Sequence, residues 1–202
     1  MLVGIQDEIL RLHAMGWLAP LLADKTTKRN IIWATDAYRV LGVGYERTQE
    51  ILPALITGAH SDVIKTRARK EMEQQSERTR RHAEVFTPLH ICRRMVAAAD
   101  ASYFGGHDPF AQEGHVRFRR RRKWEHYVDA RRLEITCGEA PYLVQRYDVA
   151  TMESVPLAER QGILDRKLRI VSENVMDEDA WMKWALRAYQ ATYGYEFQGD
   201  NL

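Results

Sequence analysis

The stretch 133–143, LEITCGEAPYL, decides how the rest of the chain is read. Leu133 and Ile135 alternate with Glu134 and Thr136, the period of two that marks a half-buried strand. Cys137-Gly138 then turns the chain and Pro141 restarts it. In open α/β sheets, ligands settle just beyond the carboxyl ends of strands. There Gly138 would let backbone approach a ligand closely, and the Glu134 carboxylate could hold an ammonium or hydroxyl group. The same residues also suit an ordinary strand end, so the surrounding sequence has to decide.

With 202 residues, 45% of them hydrophobic, the chain can bury a core, and wholesale disorder is excluded. The formal net charge of +2 selects no partner by itself. Cys92 and Cys137 have no paired spacing, which suits a reducing compartment rather than a disulfide framework. The apolar run at 17–22 is too short for a membrane span and holds Pro20. The first residues do not read as a signal peptide. These features predict a cytoplasmic protein with no membrane partner.

Along the chain, Ile5, Ile9, Leu10 and Leu12 predict an amphipathic helix over 4–15, ended by Gly16 and Pro20. Residues 31–36 read as a short apolar element, Gly42 and Gly44 as a turn, and 48–56 as a second helix. The run 65–81, KTRARKEMEQQSERTRR, is a charged helix or linker, or a basic edge facing nucleic acid. Pro88 opens a helix whose buried side would carry Cys92, Met95, Val96 and Ala99. A loop is expected over 102–114. Residues 157–174 mix charge and apolar residues at helical spacing. Asp177, Glu178 and Asp179 then put negative charge at a helix start. Trp181, Trp184, Ala185, Ala188 and Tyr189 follow as that helix's buried stripe.

No metal-ligand pattern emerges: His82, His90 and Cys92 lack a recognisable spacing. The densest cationic run is Arg117, Arg119, Arg120, Arg121, Arg122 and Lys123, interleaved or flanked by Phe118 and Trp124. Such a run neutralises nucleic-acid phosphates, and aromatic rings beside it can stack on bases. A solvated basic loop, or a contact for an acidic protein partner, would have the same composition.

Two further stretches give the opening segment a context. Residues 81–88 read RHAEVFTP and 194–202 read GYEFQGDNL. In the order F-T-P, L-E-I-T-C-G-E-A-P-Y-L, G-Y-E-F-Q-G-D-N-L, the chain resembles the DNA adenine-type amino-methyltransferases of restriction–modification systems, in particular the group labelled restriction endonuclease subunit M. NIIWATDAY, APYLVQRYD and LDRKLRIVSENV extend the likeness, which runs from about residue 28 to the end. The resemblance implies an α/β, helix-rich chain. A helical N-terminal region with a charged linker (1–82) would precede a partial S-adenosylmethionine-binding region (83–202) that holds the beginning of a Rossmann-like sheet. Helices would precede Leu133, and a strand near 193–197 would pair in parallel with the one at 133–136.

The resemblance also assigns residues. The family's T-P segment lies over the cofactor, which implies Phe86, Thr87 and Pro88. Its strand-end motif, D-P-x-C-G-x-G, matches Glu134, Cys137 and Gly138, and its ribose-holding acidic residue matches Glu196. Glu134 stands where the family has Asp, Ile135 where it has Pro, and Ala140 where it has a second Gly. These departures imply that S-adenosylmethionine is bound weakly or not at all. The family's catalytic N-P-P-Y, which holds the flipped base, does not occur in this sequence. The resemblance therefore implies a cofactor-binding part that is inactive alone, with double-stranded DNA as its partner. The alternative is a non-catalytic derivative from a phage or mobile element that binds DNA or a protein of a host defence complex.

Overall fold

The computed structural model describes residues 4–24, 26–66, 69, 87–111, 114–118, 123–149, 151 and 153–201. The chain divides into two compact units, Met1–Val85 with Glu196–Leu202, and Phe86–Tyr195. The closing residues, expected with the cofactor-binding region, are thus counted with the N-terminal unit.

In the N-terminal unit, α1 (Ile5–Ala14) and α2 (Leu18–Leu22) lead into turns, and α3 covers Pro53–Thr57. The helix expected over 48–56 is shortened to this single turn and a half. Pro53 fits the first helical position, while Glu50 is held extended by an antiparallel bridge to Ile32. Ile9, Leu18, Leu22, Trp33, Tyr45, Ile51, Ile56 and Val63 form the core. Trp33 is fully buried, and its indole N–H donates to the Gly44 carbonyl at 2.9 Å. Gly42 and Gly44 both have positive φ, as the turn requires. Gln198, Gly199 and Asp200 are buried, and Tyr38 Oη donates to Asp200 at 2.6 Å. A Cβ at Gly199 would collide with the Ile32 carbonyl oxygen.

The second unit begins with α4 (Leu89–Phe104), followed by α5 (Trp124–Asp129), β1 (Arg132–Ile135), α6 (Ile163–Asn174), α7 (Glu178–Gln190) and β2 (Thr192–Tyr195). The helix runs through 102–104, which the sequence reading had put in a loop; Gly105, left-handed at φ 80°, ends it. Its buried side carries Leu89, Cys92, Val96, Asp100 and Phe104, whereas Met95 and Ala99 face solvent. Asp177 caps α7 by accepting from the Ala180 N–H at 2.8 Å. Ala185 and Ala188 are buried, and Trp181 and Trp184 pack on the core cluster. Tyr189, expected in that stripe, is exposed.

β1 and β2 pair in parallel with Arg132 opposite Thr192, Leu133 opposite Tyr193, Glu134 opposite Gly194 and Ile135 opposite Tyr195. The structure is therefore a helix-rich mixture of helices and a small parallel sheet. The facing of β1 reverses the expectation. Leu133 and Ile135 are exposed, and the alternate positions Arg132 and Glu134 point inward.

Three buried charges, those of Asp100, Arg166 and Lys167, anchor the helices around this sheet. Asp100 accepts from Tyr127 Oη at 2.6 Å, Arg166 at 3.0 Å and Arg132 at 3.1 Å. Arg166 also forks onto Asp108 at 2.9 Å through both terminal nitrogens. Lys167 Nζ donates to the carbonyls of Ala130 and Ala191, the residues that lead into the two strands, and to Thr192 Oγ1.

Candidate functional site

Beyond Ile135 the backbone is strained. Thr136, Gly138 and Ala140 have φ of 54°, 54° and 53°. Left-handed geometry suits Gly138 but costs a non-glycine residue about 1–2 kcal/mol, so Thr136 and Ala140 hold it only because the surroundings impose it. Those surroundings are visible. The Cys137 N–H donates to the Tyr195 carbonyl at 3.0 Å, and the Ala140 N–H to the Cys137 carbonyl at 2.8 Å. Ala140 in turn accepts from the Leu143 and Val144 N–H groups at 3.0 and 2.9 Å. Ala140 thus occupies a position whose backbone favours glycine, the residue that the D-P-x-C-G-x-G pattern has there.

The inward face of β1 brings Glu134 beneath this turn. Its Oε2 is buried and has no hydrogen-bond partner among the described residues. Burial pushes the carboxyl up to about 7, against the opposing pull of the Leu143 and Tyr142 backbone N–H groups. Gly194, opposite Glu134 in register, leaves room for the turn. A Cβ there would stand 3.0 Å from Cys137 Sγ and 3.2 Å from Leu143 Cδ1.

The start of α4 reaches the same place through Cys92. This thiol is fully buried and donates to the Thr87 carbonyl at 3.4 Å. Burial drives it up to about 11, with the charges of Glu134 and Asp148 acting in the same direction. Thr87 and Glu134 therefore both neighbour Cys92. Tyr142 Oη donates to Met95 Sδ at 3.2 Å. The fully buried Gln145 side chain ties the turn down, donating to the Pro141 carbonyl and accepting from Arg93 and the Gln161 N–H.

Of the residues predicted for a cofactor site, Thr87, Glu134, Cys137 and Gly138 fall in or beside this cluster, and Pro88 caps α4 at its exposed start. Phe86 lies outside the described residues. Glu196 belongs to the N-terminal unit, where its Oε1 accepts from the Phe197 and Gln198 N–H groups. Cys92, Tyr142 and Gln145 were missed as site residues. Tyr142 lies inside the opening stretch, but only the folded turn aims its ring at α4.

Of the basic run, Arg117 and Lys123 are exposed, and Arg119, Arg120, Arg121 and Arg122 lie outside the described residues. Phe118, expected with Trp124 as a stacking ring, is partly buried against the core cluster. It packs at 5.3 Å from Phe104 and near Tyr103 and Tyr127, because an apolar ring gains more from the core than from water. Trp124 is tilted against Trp184 at 4.6 Å.

Among the described residues, no group of three or more His, Cys, Asp or Glu side chains is placed to hold a metal ion. Among the same residues, no helix is long and apolar enough to cross a membrane. Compared with protein-family models, with curated proteins and with solved structures, the chain matches none.

Proposed function

We propose that the second unit is the S-adenosylmethionine-binding region of a DNA amino-methyltransferase, with β1 and β2 as the beginning of its Rossmann-like sheet. The observation that carries this reading is the buried, unpartnered Oε2 of Glu134 at the carboxyl end of a parallel strand, beside a strained glycine turn. A buried carboxylate oxygen without a donor is costly, and a ligand that brings an ammonium group removes that cost. Support also comes from the F-T-P stretch, which precedes α4 and whose Thr87 carbonyl meets Cys92 beside Glu134. Glu134 would hold the cofactor's ammonium group, and Thr87 and Pro88 would border it. When bound, the cofactor supplies an activated methyl group. With no N-P-P-Y in the sequence, this chain is expected to bind the cofactor without methylating DNA by itself.

Calorimetric titration with S-adenosylmethionine tests the reading. Saturable binding in the high micromolar range that Glu134→Ala abolishes is the expected result, and no heat at millimolar ligand overturns it. The DNA half of the proposal rests on the basic run. Binding to random duplex should weaken with salt at a log–log slope of about −0.9 per phosphate neutralised. Replacing Arg119, Arg120 and Arg121 by Ala should flatten that slope by up to about three such steps, equally for all sequences. An intact protein that leaves micromolar duplex unshifted at low salt removes DNA as the partner.

A further inference from the structure

Glu134 has a property that the proposed cofactor site does not itself require. Among the described residues, its Oε2 is sealed from water without a donor, and the groups easing its charge are two backbone N–H groups, those of Leu143 and Tyr142. Among the described residues, the side chains around it bring no compensating cation. From α4 comes the Cys92 thiol, whose ionisation is opposed by burial and by Glu134 itself. From the turn comes Tyr142, bonded to Met95 and to the thiol. Asp148, on the Cys92 side, adds negative charge.

We propose that ligand uptake at this strand end is proton-coupled: Glu134 is held as the neutral acid in the free protein below neutral pH and gives up its proton when a ligand ammonium group docks. This rests on the function proposed above and extends it to the regulation of that site. The physical reason is local charge balance. In the free protein the site has a carboxyl oxygen with no partner, so the neutral acid avoids an uncompensated buried charge. A ligand ammonium supplies both the donor and the opposite charge, which favours the carboxylate. The proton leaves Glu134 for solvent, and the ligand's ammonium keeps its own. The site consequently selects ligands that carry a protonated amine, and its affinity climbs as pH rises through the range where the free carboxyl ionises. With the free-protein carboxyl near 7, affinity should rise nearly tenfold from pH 5.5 to pH 6.5 and flatten toward pH 7.5.

The test uses the full chain and S-adenosylhomocysteine, which carries the amino-acid group and is chemically stable. Calorimetry at pH 6 in two buffers of different ionisation enthalpy should show close to one proton released per ligand bound. 5′-Methylthioadenosine, which lacks the amine, should bind with no proton release. In Glu134→Gln, whose melting transition checks that it folds, residual S-adenosylhomocysteine binding should be weaker and independent of pH. Carbon-13 NMR of the glutamate carboxyls gives a readout that needs no ligand: one resonance, absent in Glu134→Gln, should titrate well above the other glutamates. S-Adenosylhomocysteine affinity that stays flat from pH 5.5 to 7.5, or a Glu134 resonance that titrates with the rest, overturns the coupling and leaves cofactor binding standing. No binding at any pH, with millimolar ligand, overturns both.

Discussion

Among the described residues of the second unit, the buried Asp100 and the partly buried Glu134 have opposite surroundings. Asp100, 2% exposed, accepts from Tyr127, Arg132 and Arg166 and leaves no oxygen idle. Glu134 leaves Oε2 without a donor among the described residues. The first is a finished structural joint between α4, α5, β1 and α6. The second is an acceptor held ready at a strand end. The difference shows how to separate charge that holds a fold from charge that waits for a ligand: the holding group has its partners within the chain.

Removing each group in turn separates the two roles. The largest effect is expected at Asp100. Asp100→Ala leaves Arg166, fully buried, with only Asp108 for its charge and strands the Tyr127 hydroxyl. Removing one partner of a buried ion pair costs about 3–5 kcal/mol, which urea unfolding should detect. A loss below about 1 kcal/mol would show that the network is not a joint.

Lys167→Met comes next. It deletes the donor shared by the Ala130 and Ala191 carbonyls, and stranding such buried acceptors costs about 1–3 kcal/mol. Burial lowers Lys167 to about 8, and nearby Arg132 acts in the same direction. Between about 8 and the unfolded value of 10.5, the folded state has shed a proton that the unfolded chain still holds, so stability should rise with pH across that window. Thermal unfolding from pH 7.5 to 10.5 should show this rise in the wild type but not in Lys167→Met.

Glu134→Gln should move stability the other way and least. The folded carboxyl binds its proton up to about 7, above the ordinary 4.5, so the wild type loses stability as pH climbs through that interval. The uncharged amide removes that loss. After allowance for solvent screening, the variant should gain about 1 kcal/mol at pH 8 and nothing at pH 4.5. A Glu134→Gln variant that is destabilised like Asp100→Ala would erase the distinction between the two groups. Gly194→Ala sharpens it from the other side. The added methyl presses on Cys137 Sγ and Leu143, soft neighbours that can give, so a cost of about 1 kcal/mol is expected, with ligand affinity lost along with the turn's fit.

Much of this was legible along the chain because the signals are local. Negative charge at a helix start over 177–179, Gly42 and Gly44 as turn residues, and a strand near 133–136, observed at Arg132–Ile135, each follow from side chains within a few residues. The parallel partner strand came instead from the resemblance and from the rule that the strand after a crossover usually pairs beside the one before it. The inward direction of Glu134 was not legible. Alternation says that the two faces of β1 differ, and hydrophobicity alone assigns Leu133 and Ile135 to the interior. The turn at 137–145 folds over the other face and brings Cys137 and Leu143 against Gly194, so the carboxylate is covered and the apolar pair is left outside. Likewise Phe118 reads in sequence as part of a basic surface, and only the nearness of Phe104 and Tyr127 draws it into the core. Local sequence determined most of the elements, though not all of their bounds, and which residue types stand at the strand end. Tertiary structure alone decided which side of the strand is buried, because that depends on which distant segment covers it.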